Sequence, residues 1–196
     1  MHIKLLIKKS DSVKEKEVRI KIIDLSEITI PIFGIKDIFP IKLKIKPVEK
    51  EITALIAKNI EEKEKGNEIL STLRDVIKRK KNENNNERYL LFIDKKIRYR
   101  NKEIFGISEF NGNSLVSTYL LYNKTDKEKA EENDQNKEED VIKVIAHEIG
   151  HGIGLNHCKT KGCIMQKIDK IEDLESQREE LCNSCKEKLV KKWKMI

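Results

Sequence analysis

Three of the four histidines and all four cysteines of this 196-residue chain lie between His147 and Cys185. The run His147-Glu148-Ile149-Gly150-His151-Gly152-Ile153-Gly154-Leu155-Asn156-His157 leads straight into Cys158, and Cys163, Met165, Cys182 and Cys185 follow. Ligands crowded in this way restrict the chain to folds that can gather them around metal. A helix advances about 3.6 residues per turn, so His147 and His151 share one face, a turn apart, and can grip one ion. Glu148 then stands beside the ion without being forced to bind it, where a general base is needed. Gly154 tolerates the left-handed backbone that ends a helix and turns the chain. The turn can return His157 as a third ligand. Three protein ligands leave a fourth tetrahedral position open to water, as in a catalytic zinc site. HExxH alone recurs by chance in helices whose histidines are merely solvated. The extension to HExxHxxGxxH carries the specificity.

The cysteines are spaced C-x4-C and then, after a gap, C-x2-C. Two close pairs match a closed zinc site with four thiolates, on Cys158, Cys163, Cys182 and Cys185. Two disulfides or four buried free thiols are the competing arrangements. The opening Met-His-Ile-Lys-Leu-Leu-Ile-Lys-Lys is broken by charge and does not read as a secretion signal. Disulfides are rare in reducing cytosol. The expectation is a cytoplasmic protein with two zinc ions per chain, one catalytic and one structural.

His147 to Cys185 resembles the archaemetzincin family of zinc metallopeptidases. That family joins the extended histidine motif to a four-cysteine site through adjacent ligands, here His157-Cys158. It carries a methionine just after the second cysteine, here Cys163-Ile164-Met165. The resemblance implies a metzincin-like fold of α+β or α/β class. Its parts are a twisted mixed β-sheet with an antiparallel edge strand, a backing helix and an active-site helix. A small zinc-bound helical subdomain completes it at the C-terminal end. The resemblance also implies a catalytic zinc on His147, His151 and His157, and a structural zinc on the four cysteines. Glu148 would activate a zinc-bound water for hydrolysis of peptide bonds, and Met165 would form the turn beneath the catalytic metal. Met165 as an ordinary core methionine hardly conflicts with that role, because the turn residue is itself a packing element. Two parts of one catalytic unit are expected: residues 1–154 with the sheet and both helices, and residues 155–196 with the third histidine, the methionine turn and the cysteine site.

Two other functional classes compete. One is a zinc-stabilised protein- or peptide-binding module whose histidine machinery is idle. The other is a nucleic-acid-binding zinc module, prompted by a net charge of +7. The basic excess is spread along the chain and not gathered around the cysteines, so a solvated lysine-rich surface is favoured over a nucleic-acid partner. The expected partner is a peptide or protein substrate. No apolar run approaches the roughly 18 residues needed to span a membrane. No motif addresses oligomeric state.

Along the chain, Ile3, Leu5 and Ile7 stand at period two, with lysines at 4 and 8, and predict a first strand over 2–8. Val18, Ile20 and Ile22 predict another, and Ile41, Leu43 and Ile45 a third, bounded by prolines. The stretch from 10 to 40 is poorly helical, whereas the family resemblance implies a helix between the first two strands. Residues 51–81 carry helical spacing in two pieces separated at Gly66-Asn67, with Asn67 as N-cap. Tyr89 to Asp94 reads as a buried central strand. Residues 114–122 are β-prone, and the resemblance makes them the antiparallel edge strand above the cleft; an ordinary core strand is the other reading. Residues 125–140 read as a solvated acidic insertion, ending in an N-cap at Asn136 with Glu139 three residues on. Val141, Val144, Ile145 and Ile149 should bury the active-site helix, and Leu181, Leu189, Val190 and Trp193 should pack the C-terminal helices.

Overall fold

The computed structural model describes residues 17–26, 32, 34–80, 87–123 and 134–194. The strand expected over 2–8 and most of the acidic insertion lie outside these residues.

Strand β1 (Val18–Asp24) is followed by the single-turn helix α1 (Ile35–Ile38) and strand β2 (Leu43–Pro47). Helices α2 (Lys50–Ile60) and α3 (Gly66–Lys80) come next, then β3 (Glu87–Ile93). Short strands β4 (Arg98–Tyr99), β5 (Lys102–Glu103) and β6 (Gly106–Ser108) lead to β7 (Ser114–Ser117) and helix α4 (Tyr119–Asn123). Helices α5 (Asp134–Gly152), α6 (Glu172–Glu175) and α7 (Asn183–Lys194) complete the described chain.

Among the described residues, five strands form one sheet in the order β2-β1-β3-β7-β6, with β6 alone antiparallel. The sequence periods explain the layers. In β1, Val18, Ile20 and Ile22 point to one face and bury with Leu90, Phe92 and Val116 beneath α5. Ile23, Leu91, Ile93 and Leu115 point to the other face and pack under α2 and α3. β3 lies at the centre and is covered on both sides, which is why Leu90–Ile93 is a continuous apolar run. The expected faces of α5 and α7 are found: Val141, Val144, Ile145 and Ile149 are buried, as are Leu181, Leu189 and Trp193, while Val190 is half-buried.

Several local expectations are corrected. Residues 114–122 are not the antiparallel edge: Ser114–Ser117 is a fully buried inner strand, parallel to β3. The Ser117 hydroxyl accepts the Tyr119 N–H at 3.2 Å, and the chain turns there into α4. The antiparallel edge strand is Gly106–Ser108, a stretch whose glycine and short length read as turn. Helix α3 starts at Gly66, so Asn67 lies inside it, and α5 starts at Asp134, so Asn136 is within its first turn. Between β1 and β2 the described helix is only the four-residue α1, in keeping with the poor helical pattern there. Among the described residues, no helix is long and apolar enough to cross a membrane.

Candidate metal centres and cleft

Helix α5 carries His147 and His151 on one face and ends just beyond them. The Gly154 N–H donates to the His151 carbonyl at 2.9 Å and the Leu155 N–H to the Gly150 carbonyl at 2.8 Å. This pair of bonds is the Schellman ending, and Gly154 supplies its left-handed residue at φ +100. The chain then doubles back, so that the rings of His147 and His157 have centroids 5.3 Å apart and those of His151 and His157 4.7 Å apart.

The imidazoles are oriented from behind. Nδ1 of His147 faces the Ile164 carbonyl at 2.8 Å, and Nδ1 of His151 faces the Leu155 carbonyl at 2.8 Å. A carbonyl accepts only, so each Nδ1 must carry the proton and each Nε2 a lone pair. Those two Nε2 atoms are 3.1 Å apart. Two lone pairs so placed repel unless a cation lies between them. Ligands about 2.0–2.1 Å from a tetrahedral ion would be separated by about 3.3 Å, so the donor set fits zinc. Burial above all, and then the neighbouring His151, hold the His147 imidazole down to about 3, which keeps it neutral and ready to ligate.

Glu148 is buried beside these rings. The Ser108 hydroxyl lies 2.5 Å from its Oε2, and the Ser114 hydroxyl donates to its backbone carbonyl at 3.0 Å. Burial pushes the carboxyl up to about 7, and the Ser108 contact opposes the rise. Gly106 leaves the room: a Cβ there would sit 2.7 Å from Glu148 Cγ. Gly150 does the same for the methionine, since a Cβ would lie 2.3 Å from Met165 Sδ. Met165 is thus packed against the helix between the two histidines. Its carbonyl accepts the Cys158 N–H at 2.7 Å, which ties the methionine turn to the residue after His157.

The four cysteines gather as a second group, and within each group the ligand atoms lie within 4.8 Å of one another. Cys158 Sγ and Cys182 Sγ are 3.7 Å apart, and Cys163 Sγ and Cys185 Sγ 3.9 Å. A disulfide needs about 2.05 Å, whereas two thiolates about 2.3 Å from a tetrahedral ion lie about 3.8 Å apart. All four thiols are free, and the arrangement fits a closed metal site.

The histidines and Glu148 open onto a cleft of about 650 Å³. Its walls come from Tyr99 to Phe110 on one side and Asn156 to Asp169 on the other. All the candidate ligands picked out in the sequence are brought together. Ser108, Ser114, Gly106 and Gly150 were not picked out. Gly150 stands inside the motif and could have been found there, but the others reach Glu148 only through the tertiary fold.

A sequence model described as "Peptidase family M54" matches residues 11–191. The archaemetzincin of Haloquadratum walsbyi is 35% identical over 88 residues, 44% of this chain and 51% of that protein. The archaemetzincin of Natronomonas pharaonis is 29% identical over 109 residues, 54% of this chain and 63% of that protein. The match therefore spans about half of the first relative and less than two thirds of the second. The crystal structure of an archaemetzincin from Methanopyrus kandleri is 18% identical and aligns with a TM-score of 0.65, covering 91% of this chain and 97% of that one. At that identity the likeness establishes the shared fold. The family match is the broader finding, since it runs from before β1 into α7 and contains both ligand groups; on that ground this chain belongs to peptidase family M54, the archaemetzincins.

Proposed function

We propose that the chain is a zinc-dependent peptidase. His147, His151 and His157 would hold the catalytic ion, and Cys158, Cys163, Cys182 and Cys185 a structural one. Residues 1–154 and 155–196 would act as a single catalytic unit. The observation that carries the reading is the pair of Nε2 lone pairs 3.1 Å apart beside a buried carboxyl. Zinc held there would supply a Lewis acid that acidifies water and polarises the scissile carbonyl.

The chain's own residues do the rest. Glu148 takes the proton of the attacking water and returns it to the leaving amine, a role that typically contributes about 10²–10⁴ in rate. A carboxyl pushed up to about 7 is well matched to accepting and releasing a proton near neutral pH. Ser108 fixes the carboxyl through Oε2, which leaves Oε1 to face the reacting atoms. The outer edge of β6 pairs with no described strand and lines the cleft, so a peptide can add there as a further strand.

The test is a peptide-library digest with the parent and with Glu148→Gln, alongside zinc analysis of both. The expected result is cleavage by the parent and two bound zinc ions in each protein, with turnover in the variant reduced by about 10²–10⁴. Equal cleavage by the two proteins would remove Glu148 from the chemistry. No cleavage by the zinc-loaded parent would leave a binding module.

A further inference from the structure

The hairpin of β4 and β5 overhangs the cleft and reverses through Arg100 and Asn101, both left-handed, at φ 49 and 63. A two-residue turn with both φ positive normally takes asparagine, aspartate or glycine. Asn101 suits it. Arg100 does not, because its Cβ disfavours that conformation. A side chain kept against its local preference is a mark of ligand clamps.

The hairpin is firmly based. The Arg98 N–H donates to the Glu64 carbonyl at 2.8 Å, and Ile97 is buried in the core behind it. Its outer residues Tyr99, Arg100 and Lys102 line the same cleft as the histidines. The Arg100 guanidinium lies 5.2 Å from the centre of the Tyr99 ring. Tyr99 and Phe110 are the large apolar side chains most exposed among the described residues, and both face this cleft.

The charges there do not balance. Asp169 is held by Lys167 through both oxygens at 2.6 Å. Glu148 is buried against Ser108, and Glu103 is taken by Lys96 at 2.5 Å. Glu103 and Asp169 are thus each held by a lysine of their own; Lys102 feels Asp169 only in addition to Lys167, and among the described residues no ion pair is formed by Arg100.

We propose that this hairpin is a specificity clamp: Arg100 and Lys102 hold acidic side chains of a bound peptide, and the substrates of the cleft are acidic peptides. The proposal rests on the peptidase reading for its substrate, but the binding needs no chemistry. Arg100, Lys102 and Lys167 face Asp169 alone, and the excess positive charge attracts glutamate and repels lysine, so selection against basic peptides is built in. Exposed ion pairs are individually weak, at most about fivefold in affinity each, so two predict roughly tenfold discrimination.

The test uses three labelled peptides that differ only in carrying two glutamates, two glutamines or two lysines. Binding to zinc-loaded Glu148→Gln protein is followed by anisotropy, and cleavage by the parent is followed in parallel. The glutamate peptide should bind roughly tenfold tighter than the glutamine peptide, with lysine weakest, and the spread should shrink in about 0.5 M salt. Arg100→Asn suits the turn better, so its melting temperature should rise while the acidic preference falls. In Arg100→Asn/Lys102→Ser the preference should vanish. Equal binding of the glutamate and glutamine peptides, or a preference that survives the double variant, overturns the clamp. If the parent cleaves nothing yet the binding preference holds, the peptidase reading fails and the clamp stands. Cleavage of all three peptides at one rate, with equal binding, has the opposite meaning.

Discussion

Glu148 is held by groups that come from a different part of the chain. Ser108 touches its carboxyl, Ser114 its carbonyl, and Gly106 clears the space for its side chain. A base must keep its geometry within a fraction of an ångström, and misplacement by about 1 Å can lower a rate about a hundredfold. Ser108→Ala should therefore lower kcat by about ten- to a hundredfold while KM and zinc content stay near the parent values. Steady-state kinetics with zinc analysis checks it, and an unchanged kcat would reduce Ser108 to packing. The acid response separates Glu148 from the neighbouring histidines. In the unfolded, zinc-free chain the imidazoles take up protons near 6.5, whereas in the fold burial holds all three below that value. Below pH 6.5 protons thus favour the unfolded state, and stability falls as the pH falls. Glu148 works in the opposite sense. Burial raises its carboxyl from 4.5 to about 7, so the fold binds the extra proton between those values and gains stability as pH falls through them. Zinc-free Glu148→Gln should consequently lose melting temperature more steeply than the zinc-free parent from pH 6.5 to 4.5. Parallel slopes would show that Glu148 titrates as an ordinary carboxyl.

At the scale of elements, the ending of α5 decides whether the third histidine arrives. Gly154 holds φ +100, and a left-handed backbone costs a residue with a Cβ about 1–2 kcal/mol. A Cβ there would also meet the Lys192 amine, but that is the far end of a flexible chain and can swing away. Gly154→Ala should destabilise the protein by about 1–2 kcal/mol, and zinc at the histidines should weaken while the cysteine site keeps its metal. Denaturant unfolding together with a zinc titration reads both effects; a loss of stability with full affinity at both sites would mean that the bend does not position His157. This element was legible because its parts are neighbours in sequence: two histidines a turn apart, a glycine, and the next histidine. The sheet edge was not. Ser-Leu-Val-Ser at 114–117 is β-prone whichever strand it forms, and only the register of its pairing, parallel to β3 and antiparallel to β6, decides that it lies inside. The actual edge, Gly106–Ser108, is three residues long and begins with a glycine, so its local preferences point to a turn. Its pairing with β7 overrides them. Ser108 could not be singled out for the same reason: it is 40 residues from Glu148 in sequence.

At the scale of the molecule, the proposed function gives the cysteine group a part in stability and the histidine group a part in chemistry. The segment after α5 has little regular structure until α7. It is nonetheless part of the main core, where Met165, Leu174, Leu181, Leu189 and Trp193 bury with Val18, Phe92 and Val144. In α7, Cys185, Leu189 and Trp193 recur at four-residue spacing along the buried face. The Trp193 indole N–H donates to the Ile153 carbonyl at 3.1 Å, which fastens α7 to the end of the histidine helix. A metal on the cysteines would close the loop from Cys158 to Cys185 and hold that apolar face against the sheet. Structural zinc sites contribute about 10–16 kcal/mol of apparent binding free energy, comparable with the roughly 5–15 kcal/mol that separates a typical fold from its unfolded state. Because the segment shares its core with the sheet, it cannot come away without exposing β1 and α5. Cys185→Ser should therefore lower the melting temperature of the whole protein in one transition and lose activity with it. His151→Ala should lose activity and one zinc ion, with a much smaller change in melting temperature. Calorimetry with metal analysis distinguishes the cases. A Cys185→Ser protein that melts in two steps, the first confined to the C-terminal segment, would show that the cysteine site stabilises a separable appendage and that the core under the histidines stands without it.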